Sequence, residues 1–391
     1  GDVDPDTVRQ AVLDRYGTLP TGNPPHVAGP QERNAPTFRV REWTGDIAQT
    51  QLALGWRTPA LNHPDTPLLD MAATAMGTGR ASRLYRAARE RGFASSVGAY
   101  DYTAGDVGVF VVQAEAPPHC AREALLQLWR EVQAARDNGL RRSEIMRAQS
   151  VIEARWLRRL DSMDGQASFL AAWEADGGLD LASNYYDRLM SLSVTDVEGA
   201  LARHLNGDSV SVIAYRPSAV EPLVESAEEL RALLRSVEGG GSSVLPPPAT
   251  PTPAPFQAIK PSDIIPRAHA ESVQSGVHVF RTDYGIPVLV LPRPGSLMTN
   301  VGVFARGGAC VEPTDRDGLA RLAVQTSLKG TPRRSGARIA EAAEELGGSI
   351  GVSAGVENVG WTMSVPTRHL RAAVELLADV VQRAEFAVDA V

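Results

Sequence analysis

The chain has 391 residues, 39 Lys+Arg against 46 Asp+Glu for a formal net charge of −7, 43% hydrophobic residues and two cysteines. That length suits two or three domains with cores of their own, and the composition excludes collagen-like, coiled-coil and disulfide-scaffold chains. With signs interspersed and no basic stripe, nucleic acid has nothing to bind, and no stretch reaches the ~20 apolar residues of a membrane helix.

The opening residues Gly1-Asp-Val-Asp-Pro carry neither an initiator Met nor the pattern of a signal peptide, so the chain reads as a piece of something longer. Asp4-Pro5 starts a helix with an acceptor at the cap and proline in the first turn. Val8, Val12, Leu13 and Tyr16 share one of its faces, and Gly17 ends it. An extended stretch with Pro24 and Pro25 follows. From Thr37 the period changes to two: Phe38 and Val40, then 51–56, read as strands. Leu68, Met71, Ala72, Ala75 and Met76 fall at helical spacing, and a second helix runs from about Ser82 to Gly92. Segments 95–102 and 107–113 form a hairpin around Ala104-Gly105-Asp106. Helices are expected over 121–136 and 143–160, with shorter ones to about His204, then a closing strand at 209–215 and a closing helix at 226–234.

Residues 239–255 combine Gly-Gly-Gly-Ser-Ser with a proline-rich tract. Such a composition predicts a solvated, mobile hinge that proteases should find first. Beyond it the earlier order returns. Strands are expected at 277–282, 287–291 and 300–305, helices at 318–328 and 337–346, a hairpin from 351–355 and 360–365, and a helix at 368–384. The order strand, strand, helix, helix, hairpin, helix thus occurs twice, with the second copy stopping partway. The expected domains are 1–20, the closing helix of a preceding unit; 21–238, a complete unit; 239–270, the linker; and 271–391, the start of a further unit. The fold class is α+β, with mostly antiparallel sheets packed by helices.

Little in the residues points to chemistry. The seven histidines, among them His26, His63, His119, His204 and His369, never pair at i, i+3 or i, i+4, so no zinc site can be read. Cys120 and Cys310 make no metal knuckle and read as small buried hydrophobes. There is no nucleophile elbow or phosphate loop. Gly77-Thr-Gly79 could receive an anion but reads as a plain turn, and Glu123, Glu344 and Glu345 read as solvated helix faces.

In the second unit stand Gly307-Gly, Glu312, Asp317-Gly-Leu-Ala-Arg-Leu-Ala-Val-Gln325, Arg334-Ser, Glu345-Leu-Gly-Gly348 and Glu375-Leu-Leu-Ala-Asp-Val-Val381. Together they resemble the N-terminal domain of pitrilysin/insulinase-type zinc peptidases. The first unit is similar to the second domain of that family, through Leu54-Gly-Trp-Arg-Thr-Pro59, Gly79-Arg-Ala-Ser-Arg-Leu-Tyr85, Arg89-Glu and Ser96-Val-Gly-Ala-Tyr100. The implied fold is that of mitochondrial-processing-peptidase-like metallohydrolases.

In that family an inverted His-x-x-Glu-His motif supplies two zinc ligands and a base. The matching positions here hold Arg321, Val324 and Gln325, and the third ligand, a later glutamate, would lie beyond Val391. The resemblance therefore implies a zinc-containing full-length enzyme in which this chain binds no metal and holds no catalytic residue. It further implies that an arginine and a tyrosine of the opposite half hold substrate. Arg89 matches the arginine, and Ser95 stands where the tyrosine would be.

The implied function is a non-catalytic section of a zinc endopeptidase. It would shape the chamber around a peptide substrate and join two halves, with the catalytic domain upstream or on a partner subunit. The alternative is a structural or assembly subunit of the same fold that has lost all chemistry. Peptide specificity and compartment are not legible; a periplasmic or secreted location would follow from a signal peptide on the full-length protein.

Overall fold

The computed structural model describes residues 2–22, 37–104, 107–244 and 269–387. Helix α1 (Pro5–Tyr16) begins as expected, with the Asp4 carboxylate accepting from the Thr7 amide at 2.8 Å. None of its residues is buried, and Val8, Val12, Leu13 and Tyr16 face outward.

The first unit is built on β1 (Arg39–Gly45), β2 (Thr50–Thr58), β3 (Ser96–Ala104), β4 (Val107–Ala116) and β5 (Ser211–Pro217). Their order in one five-stranded sheet is β1-β5-β2-β4-β3, antiparallel except where β1 runs parallel to β5. Alternation decides its faces. Leu52, Leu54 and Trp56 of β2 lie level with Phe110, Val112 and Ala114 of β4 and with Val212 and Ala214 of β5, all buried. The helices α2 (Thr66–Gly77), α3 (Ala121–Asn138) and α7 (Val194–His204) pack on that side. Trp56 stacks on Trp129 at 6.2 Å between centroids and donates its indole N–H to the Asn206 carbonyl at 3.1 Å.

The opposite face carries Trp43, Ile213, Val109, Tyr100 and Tyr102, all exposed. The remaining helices are α4 (Arg142–Leu160), α5 (Met163–Asp176), α6 (Leu179–Ser191) and α8 (Ala227–Arg235). Trp156 of α4 gathers Phe169, Trp173 and Tyr186 around it at 4.9–6.0 Å, which holds α5 and α6 to α4.

The second unit has a hairpin sheet of β6 (His269–Gln274), β7 (Val277–Arg281) and β8 (Pro287–Val290). Its other sheet is formed by β9 (Met298–Arg306), β12 (Ile350–Ala354) and β13 (Asn358–Pro366) in the order β12-β13-β9. That order matches β3-β4-β2 of the first unit, so the repeat seen in the residues is also a repeat of sheet topology. Between them come α9 (Leu319–Thr326), the two-residue strands β10 (Gly330–Thr331) and β11 (Arg334–Ser335), and α10 (Gly336–Glu345), with α11 (Leu370–Arg383) last.

Several expectations need correction. The second helix expected after Gly79 is mostly a π-helical turn, Tyr85–Arg89. Strand β6 starts at His269, inside the expected linker, and turns at Ser275-Gly276, both at positive φ. Over 239–244 the glycine–serine stretch is tied down rather than mobile. The fully buried carboxylate of Glu131 on α3 accepts from the Ser242 hydroxyl at 2.6 Å and from the amide and hydroxyl of Ser243 at 2.7 Å each. Arg130 meanwhile donates to the carbonyls of Gly240 and Gly241. A buried carboxylate demands donors, and these serines supply them. The rest of the expected hinge, 245–255, lies outside the described residues, as do Pro24, Pro25, His26 and the turn at Gly105-Asp106. Cys310 is exposed and Cys120 half-buried, so neither is a core hydrophobe.

The two units touch along α4. Asp161 accepts from the Ser296 hydroxyl at 2.7 Å and the Leu297 amide at 3.3 Å, and Glu153 pairs with Arg368. Gly347 (φ +76°) lies against α4 so closely that a Cβ there would sit 2.7 Å from the Ala154 side chain. Glu344, expected on a solvated face, is 5% exposed at this seam.

Candidate functional site

Helix α9 carries Arg321, Val324 and Gln325, the residues that the resemblance sets against the family's metal motif. Gly318, at φ +94°, turns the chain into it, and the Glu312 carboxylate satisfies two of the first amides, Gly318 at 2.8 Å and Ala320 at 2.6 Å. An anion at a helix N-terminus is favoured there. Arg321 and Gln325, one turn apart, are both exposed and share a face. Val324 is 3% exposed and belongs to the interior of the unit.

These groups do not fit a zinc ion. A guanidinium has no lone pair to give and repels a cation, an aliphatic side chain offers no base, and a neutral carboxamide oxygen is a weak donor. Among the described residues no three His, Cys, Asp or Glu side chains stand close enough to hold a metal.

Arg89 ends the π-helical turn and is exposed, its guanidinium carbon 5.4 Å from the centre of the Tyr85 ring. Arg80 approaches the same ring at 6.0 Å, and its Nε donates to the Tyr85 hydroxyl at 3.2 Å. Two cations therefore share one aromatic side chain. Ser95 stands a few residues on, at the entry to edge strand β3. Its amide and hydroxyl both donate to the Glu115 carbonyl, at 2.8 and 3.2 Å, and the hydroxyl also meets Gln49. The geometry thus uses Ser95 to tie β3 to its neighbours. No hydrogen bond links it to Arg89 among the described residues.

A second group of titrating side chains, unmarked by any motif, closes the N-terminal end of α2. Asp65 accepts from both nitrogens of the Arg203 fork at 2.7 and 2.9 Å and lies 2.8 Å from His204 Nε2. Burial would raise the Asp65 carboxyl, but these partners hold it below its ordinary value. Further in, burial, with the charge of Asp101 beside it, pushes Asp70 up to about 8. Burial likewise raises Asp101 to about 6, against the Thr58 hydroxyl it accepts from at 2.7 Å and the pull of His204. Asp70 also accepts from the Tyr185 hydroxyl. With one value above neutrality and one below, this pair retains a proton at neutral pH, and both side chains are half-buried.

Two tandem α+β units with matching sheet orders, strand β2-β4-β3 in one and β9-β13-β12 in the other, define a repeated sheet-and-helix fold. Comparison with known proteins places it in a family. Residues 1–152 match the family model for the peptidase M16 inactive domain, and residues 288–391 match that for insulinase, peptidase family M16. The chain belongs to the pitrilysin/insulinase family, and its first unit is a non-catalytic section of that fold. An uncharacterized zinc protease of Rickettsia bellii is 24% identical over 115 residues, covering 29% of this chain and 28% of that protein. The chain thus spans under a third of the length of this curated relative. Among solved structures, a protease from Helicobacter pylori aligns with TM-score 0.49 and 19% identity, over 56% of this chain and 54% of its own. The periplasmic protease PqqL from Escherichia coli aligns with TM-score 0.47 and 14% identity, over all of this chain and 45% of its own. Among the described residues no helix is long and apolar enough to cross a membrane.

Proposed function

We propose that this chain forms part of the wall of a zinc endopeptidase chamber, with the metal carried by another domain or by a partner subunit. The observation that carries this reading is the one-sided first-unit sheet. Its inner face is packed by three helices, while its outer face presents Trp43, Tyr100 and Tyr102 at 44–62% exposure, with Val109 and Ile213 exposed beside them. Scattered aromatic rings on a flat pleated surface suit loose contact with unfolded peptide of varied sequence. Arg89, held over Tyr85 beside this sheet's edge strand, is the residue we assign to substrate carbonyls or carboxylates. Ser95 we leave with a minor role, since its hydroxyl already has acceptors. The zinc of the full-length enzyme finds no ligand set in Arg321, Val324 and Gln325. The boundaries 1–20, 21–238, 239–270 and 271–391 are the proposed division, with 239–244 adhering to the unit before the linker and 269–270, the start of β6, to the unit after it. A wholly structural assembly role is the less favoured reading, given the match to a domain of the peptidase itself.

The test is binding of a fluorescently labelled, unstructured peptide to the chain, read by anisotropy. Replacing Trp43, Tyr100 and Tyr102 together by Ser should weaken binding at least tenfold at unchanged helicity. Undiminished binding would remove the sheet face from the proposal.

A further inference from the structure

The turn between α2 and the π-helical turn reads in sequence as a plain link, yet in the structure it holds an anion. Gly79 lies at φ +85°, which points the successive amides of Arg80 and Ala81 to the same side. Two adjacent amides so aimed make a small concave receptor for a negative group. The group they hold is the Glu344 carboxylate of the second unit, whose Oε1 accepts from Arg80 N at 2.6 Å and from Ala81 N at 3.2 Å. Its Oε2 accepts from Arg147 of α4 at 2.7 Å.

Arg147, 2% exposed, makes two further hydrogen bonds. It donates to the Thr78 carbonyl at 2.9 Å and the Ala75 carbonyl at 2.6 Å, at the carboxyl end of α2, where a cation is favoured. Space is as closely defined as charge. A Cβ at position 79 would stand 2.3 Å from Glu344 Oε1, so no other residue could occupy the turn without displacing the carboxylate. Glu344 itself lies in the last turn of α10, where a helix disfavours an anion and where burial pushes its carboxyl above the ordinary range. Arg147 and the two amides draw it back part of the way. A carboxylate in so costly a place implies a partner that requires it.

We propose that the 79–81 turn and Arg147 form a carboxylate receptor on the first unit, and that Glu344 is the ligand that seats the second unit in it. The receptor is specific for a planar, two-oxygen anion, one oxygen for the amides and one for the guanidinium. It goes beyond the chamber reading and does not depend on it. Emptying it should leave a site that a small free carboxylate can fill.

The experiment uses the full chain, with thermal unfolding followed by calorimetry in formate and in chloride at equal ionic strength. Glu344→Ala should lower the midpoint by about 5 °C in chloride, the scale expected for breaking a buried pair in a chain of this size. Formate should return at least half of that loss in a saturable manner. It should do nothing for the wild-type chain, and nothing for Glu344→Ala combined with Arg147→Met. Glu344→Gln should fall between. No recovery, equal recovery in chloride, or a Gln variant matching the wild type would overturn the assignment. If Glu344→Ala does not fold in chloride, Glu344→Asp, whose carboxylate stops one methylene short, is measured in the same way. A lowered midpoint is expected for it, and an unchanged one contradicts the receptor.

Discussion

The two units share a topology but differ in what they enclose. In the first, β5 sits between β1 and β2, and buried side chains run continuously from Leu52 through Phe110, Leu125, Trp129 and Val212 to Leu230 and Leu234. In the second, the compact cluster is Ala343, Met363, Val365, Ala373 and Leu376, while Val303 and Phe304 of β9 are exposed along with Leu289 and Leu291 near β8. A sheet gains stability from strands on both sides and helices over one face; the second unit divides its strands among sheets of three, three and two, and has fewer helices among the described residues. It draws its support from α4 of its neighbour. Val324, one of the three positions that the resemblance sets against the family's metal motif, is buried in this less supported unit.

The largest expected effect separates the cores directly. Trp56→Ala, which removes a ring packed against Trp129 and Phe110, should cost about 4 kcal/mol in denaturant titration. Met363→Ala, at the centre of the smaller cluster, should cost about 2 kcal/mol. Equal losses would show the two cores to be alike in strength.

The next effect depends on pH and belongs to the first unit. Burial alone would raise the Glu144 carboxyl, but the Arg83 fork at 2.7 and 2.8 Å, with Arg141, holds it down at about 2 against an ordinary 4.5. A lowered folded-state value means that the native state resists taking the proton. The stabilisation is therefore present above about pH 4.5 and is lost as pH falls toward 2, on the order of 3 kcal/mol in all. Glu144→Gln should flatten that acid limb of the stability curve. A curve of unchanged slope would mean that the pair contributes nothing.

Much of this architecture was legible. The alternation of Leu52, Leu54 and Trp56 exposes a one-sided strand, and the repeated element order anticipates the matching sheets, because both patterns are local and periodic. What could not be read is non-local. Glu344 sits among alanines like any solvated glutamate, and its partners Arg147 and Arg80 lie 197 and 264 positions away. Glu131 recruits Ser242 and Ser243 from more than a hundred positions off, so a stretch that composition marks as mobile is pinned. Ser275-Gly276 did carry a turn signal, and β6 was missed because its alternation is short and polar. For the candidate site, the identities of Arg321, Val324 and Gln325 were plain from the motif, but that Val324 faces inward while Arg321 and Gln325 face out needed the structure.

The most direct test of the central claim, that this chain is a peptidase-fold section without metal chemistry, is zinc analysis of the purified chain after dialysis, paired with a chelator-sensitive peptidase assay. The expected result is substoichiometric metal and background hydrolysis. Both should persist in the triple variant Arg321→His, Val324→Glu, Gln325→His, where the new glutamate would also have to be buried, at a cost of about 2 kcal/mol or more. One tightly held zinc per wild-type chain, lost on Gln325→Ala, or chelator-sensitive turnover by either protein, would contradict it.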